Sequence, residues 1–303
     1  MGGGEQNDIT LVVPTYNRAK ALHANLGNVL NVKGVAEVLI VNDGSDDDTL
    51  SVCEQFAGPR LRVLSHPTNR GVATARNTGI DAADTRWILF GEDDCRFPDD
   101  YAVVLLEQAL RHEADLVGAP LIHKRSSDED IRQVAASAPR AEHPSMEQVG
   151  TFPIHTIETP FIPARALVRR SVFDRVRFYE GFPVNGYREE TDFFVQAVRA
   201  GFRSIFTPST FCYQVGTWSG GQHHSSSLRY EYWVLRNNWR FLKRHHKWLA
   251  EQGYIKGAIR SQASFSLERA RLVAAGVVRA RLVRLSQWRH ARGEKDAAHG
   301  STS

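Results

Sequence analysis

The sequence predicts an α/β protein: a mostly parallel sheet flanked by helices, followed by a basic helical C-terminal extension. Three observations predict it. Between Ile9 and Ile122, apolar runs of strand length alternate with amphipathic segments of helical period. Polar clusters stand at the ends of several of these runs, where parallel sheets place their ligands. Charge is also unevenly spread: from Gly216 to Ser303 there are 16 Lys+Arg against 5 Asp+Glu, leaving 22 against 29 in the other 215 residues.

The elements follow in order. Ile9–Pro14 (ITLVVP) reads as a buried strand, and Arg18–Leu30 as a helix with Leu22, Leu26, Val29 and Leu30 on one face. Ala36–Asp43 is a second strand. Asp47–Ala57 is a second helix, with acids in its first turn, where the macrodipole favours them. Leu61–His66 is a third strand, Gly71–Ala83 a third helix, and Arg86–Gly91 a fourth strand. Asp115–Ile122 (DLVGAPLI) reads as one further strand. From His123 to about Pro160 the chain is polar and weakly periodic, and is expected to be mostly loop. Order resumes at Thr159–Val176. Arg188–Phe202 is a helix with Phe193, Phe194, Ala197 and Val198 on one face and Gly201 as its stop. Arg203–Gln214 reads as a returning strand or strand pair, and the chain is helical, aromatic and basic from about Ser225.

Composition narrows the class. An apolar fraction of 42% and a charged fraction of 24% are those of an ordinary soluble globular protein. The chain's 303 residues suffice for one large domain or a domain with an appendage. Three isolated cysteines (Cys53, Cys95, Cys212) argue against a disulfide framework or a cysteine zinc site, and fit a reducing compartment. No run of about 18 apolar residues suggests a spanning helix. The start, MGGGEQNDIT, has no signal-like apolar region and misses the myristoylation pattern at Gln6. Dinucleotide and phosphate-loop fingerprints, HExxH and GxSxG are all missing.

The chemistry-bearing clusters each have an ordinary alternative. Glu92-Asp93-Asp94 follows the apolar WILF, so the acids stand at a sheet edge and can hold a hard divalent cation, Mg2+ or Mn2+. The alternative is a solvated acidic loop. Asp43, at a strand end before Gly44, suits a base or ribose, or is a plain turn Asp. Gly71 and Arg76, at a helix start, offer donors to phosphate oxygens, or a capped helix with an exposed Arg. Glu189, Glu190 and Asp192 stand at another helix start, where a general base fits, and where acids are also simply favoured. His223-His224 lies in a Gly/Ser-rich loop; His223 can complete a metal site, or both are loop histidines.

Taken in order, Val12–Arg18 (VVPTYNR), Val41–Asp47 (VNDGSDD), Asn69–Asn77 (NRGVATARN), Phe90–Asp94 (FGEDD) and Arg188–Phe202 (REETDFFVQAVRAGF) resemble glycosyltransferase family 2, over roughly residues 8–215. The resemblance implies the GT-A fold, a Rossmann-like nucleotide-sugar-binding architecture. It implies inverting transfer of a sugar from a nucleotide diphosphate donor to a hydroxyl of a glycan, lipid-linked or small-molecule acceptor. By position, Pro14, Thr15, Tyr16 and Asp43 would line the nucleoside pocket, with Arg18, Gly71 and Arg76 also on the nucleotide-sugar side. Asp94 would be the principal metal ligand and Asp93 would lie beside the donor sugar or ribose. The motif's first acid is Glu92 rather than Asp. Glu190 would be the base, with Asp192 as the fallback.

The resulting domain plan is a catalytic domain over 1–215, with a nucleotide-sugar half at about 8–122 and an acceptor half at about 123–215, and a basic helical region over 216–303. In the latter, Leu228–Leu249 mixes Trp and Tyr with Arg and Lys, and Leu267, Ala274, Val278, Leu282 and Leu285 recur at helical spacing. The chain is expected in the cytoplasm, with this region either peripheral on an anionic membrane at the inner face or packed on the domain or a partner subunit. No nucleic-acid module is present, and no nucleic-acid partner is expected. Two competing functions remain: a non-catalytic nucleotide-sugar-binding protein, and a sugar nucleotidyltransferase. The second is disfavoured by PTYNRAK where a Gly-rich loop belongs.

Overall fold

A computed structural model describes residues 8–124, 130–144, 150–215 and 227–274. The chain divides into two compact units, Met1–Asn237 and Asn238–Ser303. The first unit begins with β1 (Ile9–Thr15), α1 (Ala19–Leu30), β2 (Val35–Asn42), α2 (Thr49–Gln55), β3 (Leu61–Ser65), α3 (Val72–Ala82) and β4 (Trp87–Phe90). These match the elements expected from sequence to within two residues at each end. β5 (Cys95–Arg96), α4 (Tyr101–Arg111), β6 (Leu116–Gly118) and β7 (Leu121–Lys124) follow. Then come α5 (Ile131–Ala136), β8 (Arg140–Ala141), β9 (Phe152–Pro153), β10 (Ile157–Glu158), β11 (Leu167–Arg169), a 3-10 turn (Arg170–Asp174), α6 (Glu189–Arg199), β12 (Ser204–Phe206) and β13 (Cys212–Val215). α7 (Ser227–Glu251) begins in the first unit and ends in the second. The second unit also contains α8 (258–274), where Asn238 Nδ2 donates to Gln262 Oε1 at 2.8 Å.

The main sheet has eight strands in the order β10-β12-β6-β11-β4-β1-β2-β3. β1 is central and pairs in parallel with β2 and β4, and β2 in parallel with β3. β11 runs antiparallel between β4 and β6. The period-2 rule is visible along β1: Ile9, Leu11 and Val13 enter a core with α1, α2 and α4, whereas Val12 enters a second core with α3 and α6. Full burial of each such side chain contributes about 1.5–3 kcal/mol. α3 lies close on β1 at Gly79, where an added Cβ would come within 2.3 Å of Val12 Cγ1.

One expectation needs correction and a second is refined. Asp115–Ile122 is not one strand: β6 joins the main sheet, and β7 joins a small sheet in the order β5-β13-β7. Pro120, which has no N–H to continue a ladder, lies between them. The stretch from His123 to Pro160, expected to be mostly loop, contains α5 and the short strands β8, β9 and β10. The α4 segment went unassigned because its apolar run, AVVLL, does not by itself choose between helix and strand.

Candidate active site

The carboxyl ends of β1, β2 and β4 meet at one edge, and the sequence-singled acids gather there. Asp43 follows β2 and is 3% exposed. Its Oδ1 accepts from Arg70 N–H at 2.9 Å and its Oδ2 from Gly71 N–H at 2.7 Å. His66 Nδ1 lies 2.7 Å from Oδ1, and His66 Nε2 lies 2.9 Å from Thr78 Oγ1. A carboxylate only accepts, so the imidazole carries its proton on Nδ1. The Gly71 N–H expected to face a ligand is therefore occupied by Asp43. Gly71 has φ +94 and opens α3, a conformation that suits glycine.

After β4, Asp93 and Asp94 are buried and Glu92 is partly so. Thr15 Oγ1 donates to Asp93 Oδ2 at 2.8 Å, and Asn25 Nδ2 to the Asp93 carbonyl at 3.2 Å. Arg18 spans the two aspartates: Nε is 3.2 Å from Asp93 Oδ1, and Nη2 donates to Asp94 Oδ2. Burial pushes the Asp93 carboxyl up to about 7, against the pull of Arg18. Pro14 is buried at the end of β1, and Tyr16 is half-buried in the turn that follows.

Glu92 is held by arginines. β11 enters the sheet beside β4, with Phe90 N–H donating to the Ala166 carbonyl at 3.1 Å. This places Arg165 against the acidic cluster: its Nη2 donates to Glu92 Oε2 and its Nε to Cys95 Sγ at 3.3 Å. Arg76 Nη2 is 3.5 Å from Glu92 Oε1. Burial pushes the Glu92 carboxyl up, and Arg165 opposes this. Arg76 is not the exposed residue of the capped-helix alternative. It is 3% exposed, its Nη1 donates to both Glu189 oxygens, and its guanidinium lies 5.4 Å from the Phe178 ring centroid.

The three acids that open α6 fall in different environments. Glu189 is buried on Arg76, and burial, its largest influence, pushes its carboxyl up to about 7. Asp192 is fully buried, and Gln196 Nε2 donates to its Oδ2 at 2.6 Å. Glu190 is half-buried, and its charge acts on Arg76, Glu92 and Arg165.

A divalent cation fits this cluster on one observation in particular. Asp94 Oδ1 is buried with no hydrogen-bond partner among the described residues. Ligand atoms of Glu92, Asp94 and Cys95 also lie within 4.8 Å of one another. Carboxylate oxygens suit Mg2+ or Mn2+. Cys95 does not: burial pushes its thiol well above the usual range and keeps it protonated. His223, the other candidate ligand, lies outside the described residues.

Sequence reasoning missed His66, Arg165 and the Arg76–Glu189 pair. Arg165 carried a signal, as a lone cation amid FIPARALV just before a buried strand. A buried charge needs a partner.

Residues 10–177 match the family model described as "Glycosyl transferase family 2". Over 193 residues the chain is 31% identical to the "Uncharacterized glycosyltransferase EpsJ" of Bacillus subtilis (strain 168), covering 58% of this chain and 54% of that protein. It is 39% identical over 94 residues to the "Succinoglycan biosynthesis protein ExoO" of Rhizobium meliloti (strain 1021), covering 30% and 27%. The chain thus spans about half or less of the length of these relatives. Among solved structures, S. aureus TarS 1-349 in complex with UDP-GlcNAc aligns with a TM-score of 0.57 at 15% identity, covering 77% of this chain and 65% of that one. GalNAc-T7 with UDP, GalNAc and Mn2+ aligns with a TM-score of 0.60 at 13% identity, covering 80% and 48%. At such identities the likeness is one of fold.

Proposed function

Because the chain belongs to glycosyl transferase family 2 and has the GT-A-like architecture expected of it, we propose that it is an inverting glycosyltransferase using a nucleotide diphosphate sugar. The observation that carries this reading is the meeting of two acidic groups. Arg76 joins Glu92 at the β4 edge to Glu189 at the start of α6, so half-buried Glu190 stands beside the cluster expected to face the donor. Glu190 takes the proton from the attacking acceptor hydroxyl, and in-line attack inverts the anomeric centre. Its neighbours Glu189 and Asp192 are too buried to reach an acceptor. Thr15, Tyr16 and Asp43 line the nucleoside side, and Asp93 faces the donor sugar or ribose. Asp94 is the residue that would hold Mn2+ or Mg2+, which when bound supplies positive charge against the departing diphosphate. The UDP and Mn2+ named with the structural neighbours support this donor and cation class.

The catalytic domain is assigned to 1–215 and the basic region to 216–303. Among the described residues no helix is long and apolar enough to cross a membrane. Exposed Ile259, Leu267 and Leu272 on α8, with Arg260 and Arg271 nearby in sequence, support a peripheral contact with an anionic surface. Such a contact would suit a lipid-linked or glycan acceptor.

The test is calorimetry with UDP-, GDP- and dTDP-sugars, with and without Mn2+. The expected result is one nucleotide class bound more tightly with the metal. Folded protein that binds none of them would sink the reading.

A further inference from the structure

The site holds a feature that a donor pocket alone does not require. Resting on the reading of Asp94 as the cation ligand, we propose that Arg18 competes with the cation: its guanidinium holds Asp94 in the free protein and must leave when the metal binds. Arg18 and both aspartates are nearly buried, with side chains 11% and 8% exposed. The guanidinium reaches one oxygen of each aspartate. Asp94 Oδ1 is left buried and without a hydrogen-bond partner among the described residues, so this carboxylate is only half satisfied there. A dication on Asp94 and the Arg18 guanidinium beside it would repel each other in a poorly solvated site, so each weakens the other's hold on the carboxylate.

The rest of the cluster isolates the exchange to this one residue. Asp93 has a second donor besides Arg18, the Thr15 hydroxyl. Glu92 is held by Arg165 and Arg76. The backbone around Arg18 is pinned: Asn17 N–H donates to Ser45 Oγ at 2.9 Å, Asp46 N–H to Asn17 Oδ1 at 2.9 Å, and Ala19 N–H to Asp47 Oδ2 at 3.0 Å. Asn17 itself has φ 51, which turns the chain sharply after β1. Release of Asp94 is therefore a rotation of the Arg18 side chain rather than a loop movement.

The experiment is calorimetry of Mn2+ alone with the full chain, comparing the wild type with Arg18→Gln, Arg18→Lys and Asp94→Asn. Thermal unfolding establishes that each variant is folded. Arg18→Gln is expected to bind Mn2+ about ten-fold more tightly or better. Arg18→Lys, which keeps the charge, is expected to return towards wild-type affinity, and Asp94→Asn to lose binding. Unchanged or weaker affinity in Arg18→Gln overturns the competition, as does a lack of Mn2+ binding in every variant. UDP titrated separately, with and without Mn2+, tells the two failures apart. Binding of UDP, or of GDP or dTDP titrated in the same way, with no Arg18 effect overturns the competition alone, whereas no binding of any of the three under either condition overturns the donor-site reading as well.

Discussion

Arg76 and Glu189 stand 113 positions apart and form a buried pair in which Nη1 of the arginine donates to both carboxylate oxygens. The same guanidinium reaches Glu92, itself bound by Arg165. The chain of charges Arg165–Glu92–Arg76–Glu189 ties the end of β4 and the approach to β11 to the starts of α3 and α6. Removing one member leaves its neighbour buried and uncompensated. Arg76→Met is therefore expected to cost about 3–5 kcal/mol of stability in urea denaturation. Arg76→Met combined with Glu189→Met should lose less than the two single changes added together. Strict additivity would mean that the pair is not coupled.

The same glutamate gives stability a pH dependence of known sign. Burial, partly offset by Arg76, lifts the Glu189 carboxyl to about 7, against about 4.3 in an unfolded chain. Between those values the folded state binds more protons than the unfolded state. The contribution of Glu189 is thus fully present below about pH 4.3 and is lost as pH rises through about 7. Urea midpoints measured from pH 5 to 8 should fall more steeply in the wild type than in Glu189→Gln. A variant with an equal or steeper fall would contradict the shift.

Asp43 uses both oxygens as acceptors, Oδ1 for the Arg70 N–H and His66, and Oδ2 for the Gly71 N–H. An asparagine there would turn an NH2 group towards a donor whichever way it flips. Asp43→Asn is expected to destabilise by roughly 2–3 kcal/mol and to weaken nucleotide binding. His66→Ala should give a smaller loss of both, because the two backbone donors remain. Thermal unfolding and a nucleotide titration of each variant check this ordering.

What was legible in the sequence followed the range of the forces involved. Ile9–Thr15, Val35–Asn42 and Trp87–Phe90 announce themselves because each strand needs only its own apolar residues, and the acids that follow them mark the sheet edge. Long-range partners left little local trace. Glu92 and Arg165 are 73 residues apart, and nothing near Glu92 says that an arginine will neutralise it. At Arg76 the sequence offers a phosphate donor or an exposed helix residue, and the Glu189 and Phe178 that bury it are more than 100 positions away. The strand expected over Asp115–Ile122 divides because β13 pairs with β7, an event 91 residues away in sequence. REETD displayed three acids with no local way to rank them, and burial ranks them.

That ranking supplies the last prediction. Asp192 is fully buried and accepts from Gln196, whereas Glu190 is half-buried and lies within electrostatic reach of Glu92, Arg76 and Arg165. A base must meet the acceptor hydroxyl at hydrogen-bond distance, which a sealed side chain cannot do. Glu190→Gln is isosteric and keeps the helix start intact. It is expected to lower turnover by about 10²–10⁴-fold with donor affinity and melting temperature nearly unchanged. Asp192→Asn should do the reverse, lowering the melting temperature while retaining most turnover per folded molecule. Single-turnover assays with the donor found by calorimetry, run beside thermal unfolding, separate the two. Full activity in Glu190→Gln with loss in folded Asp192→Asn would transfer the base to Asp192 and require α6 to open before reaction.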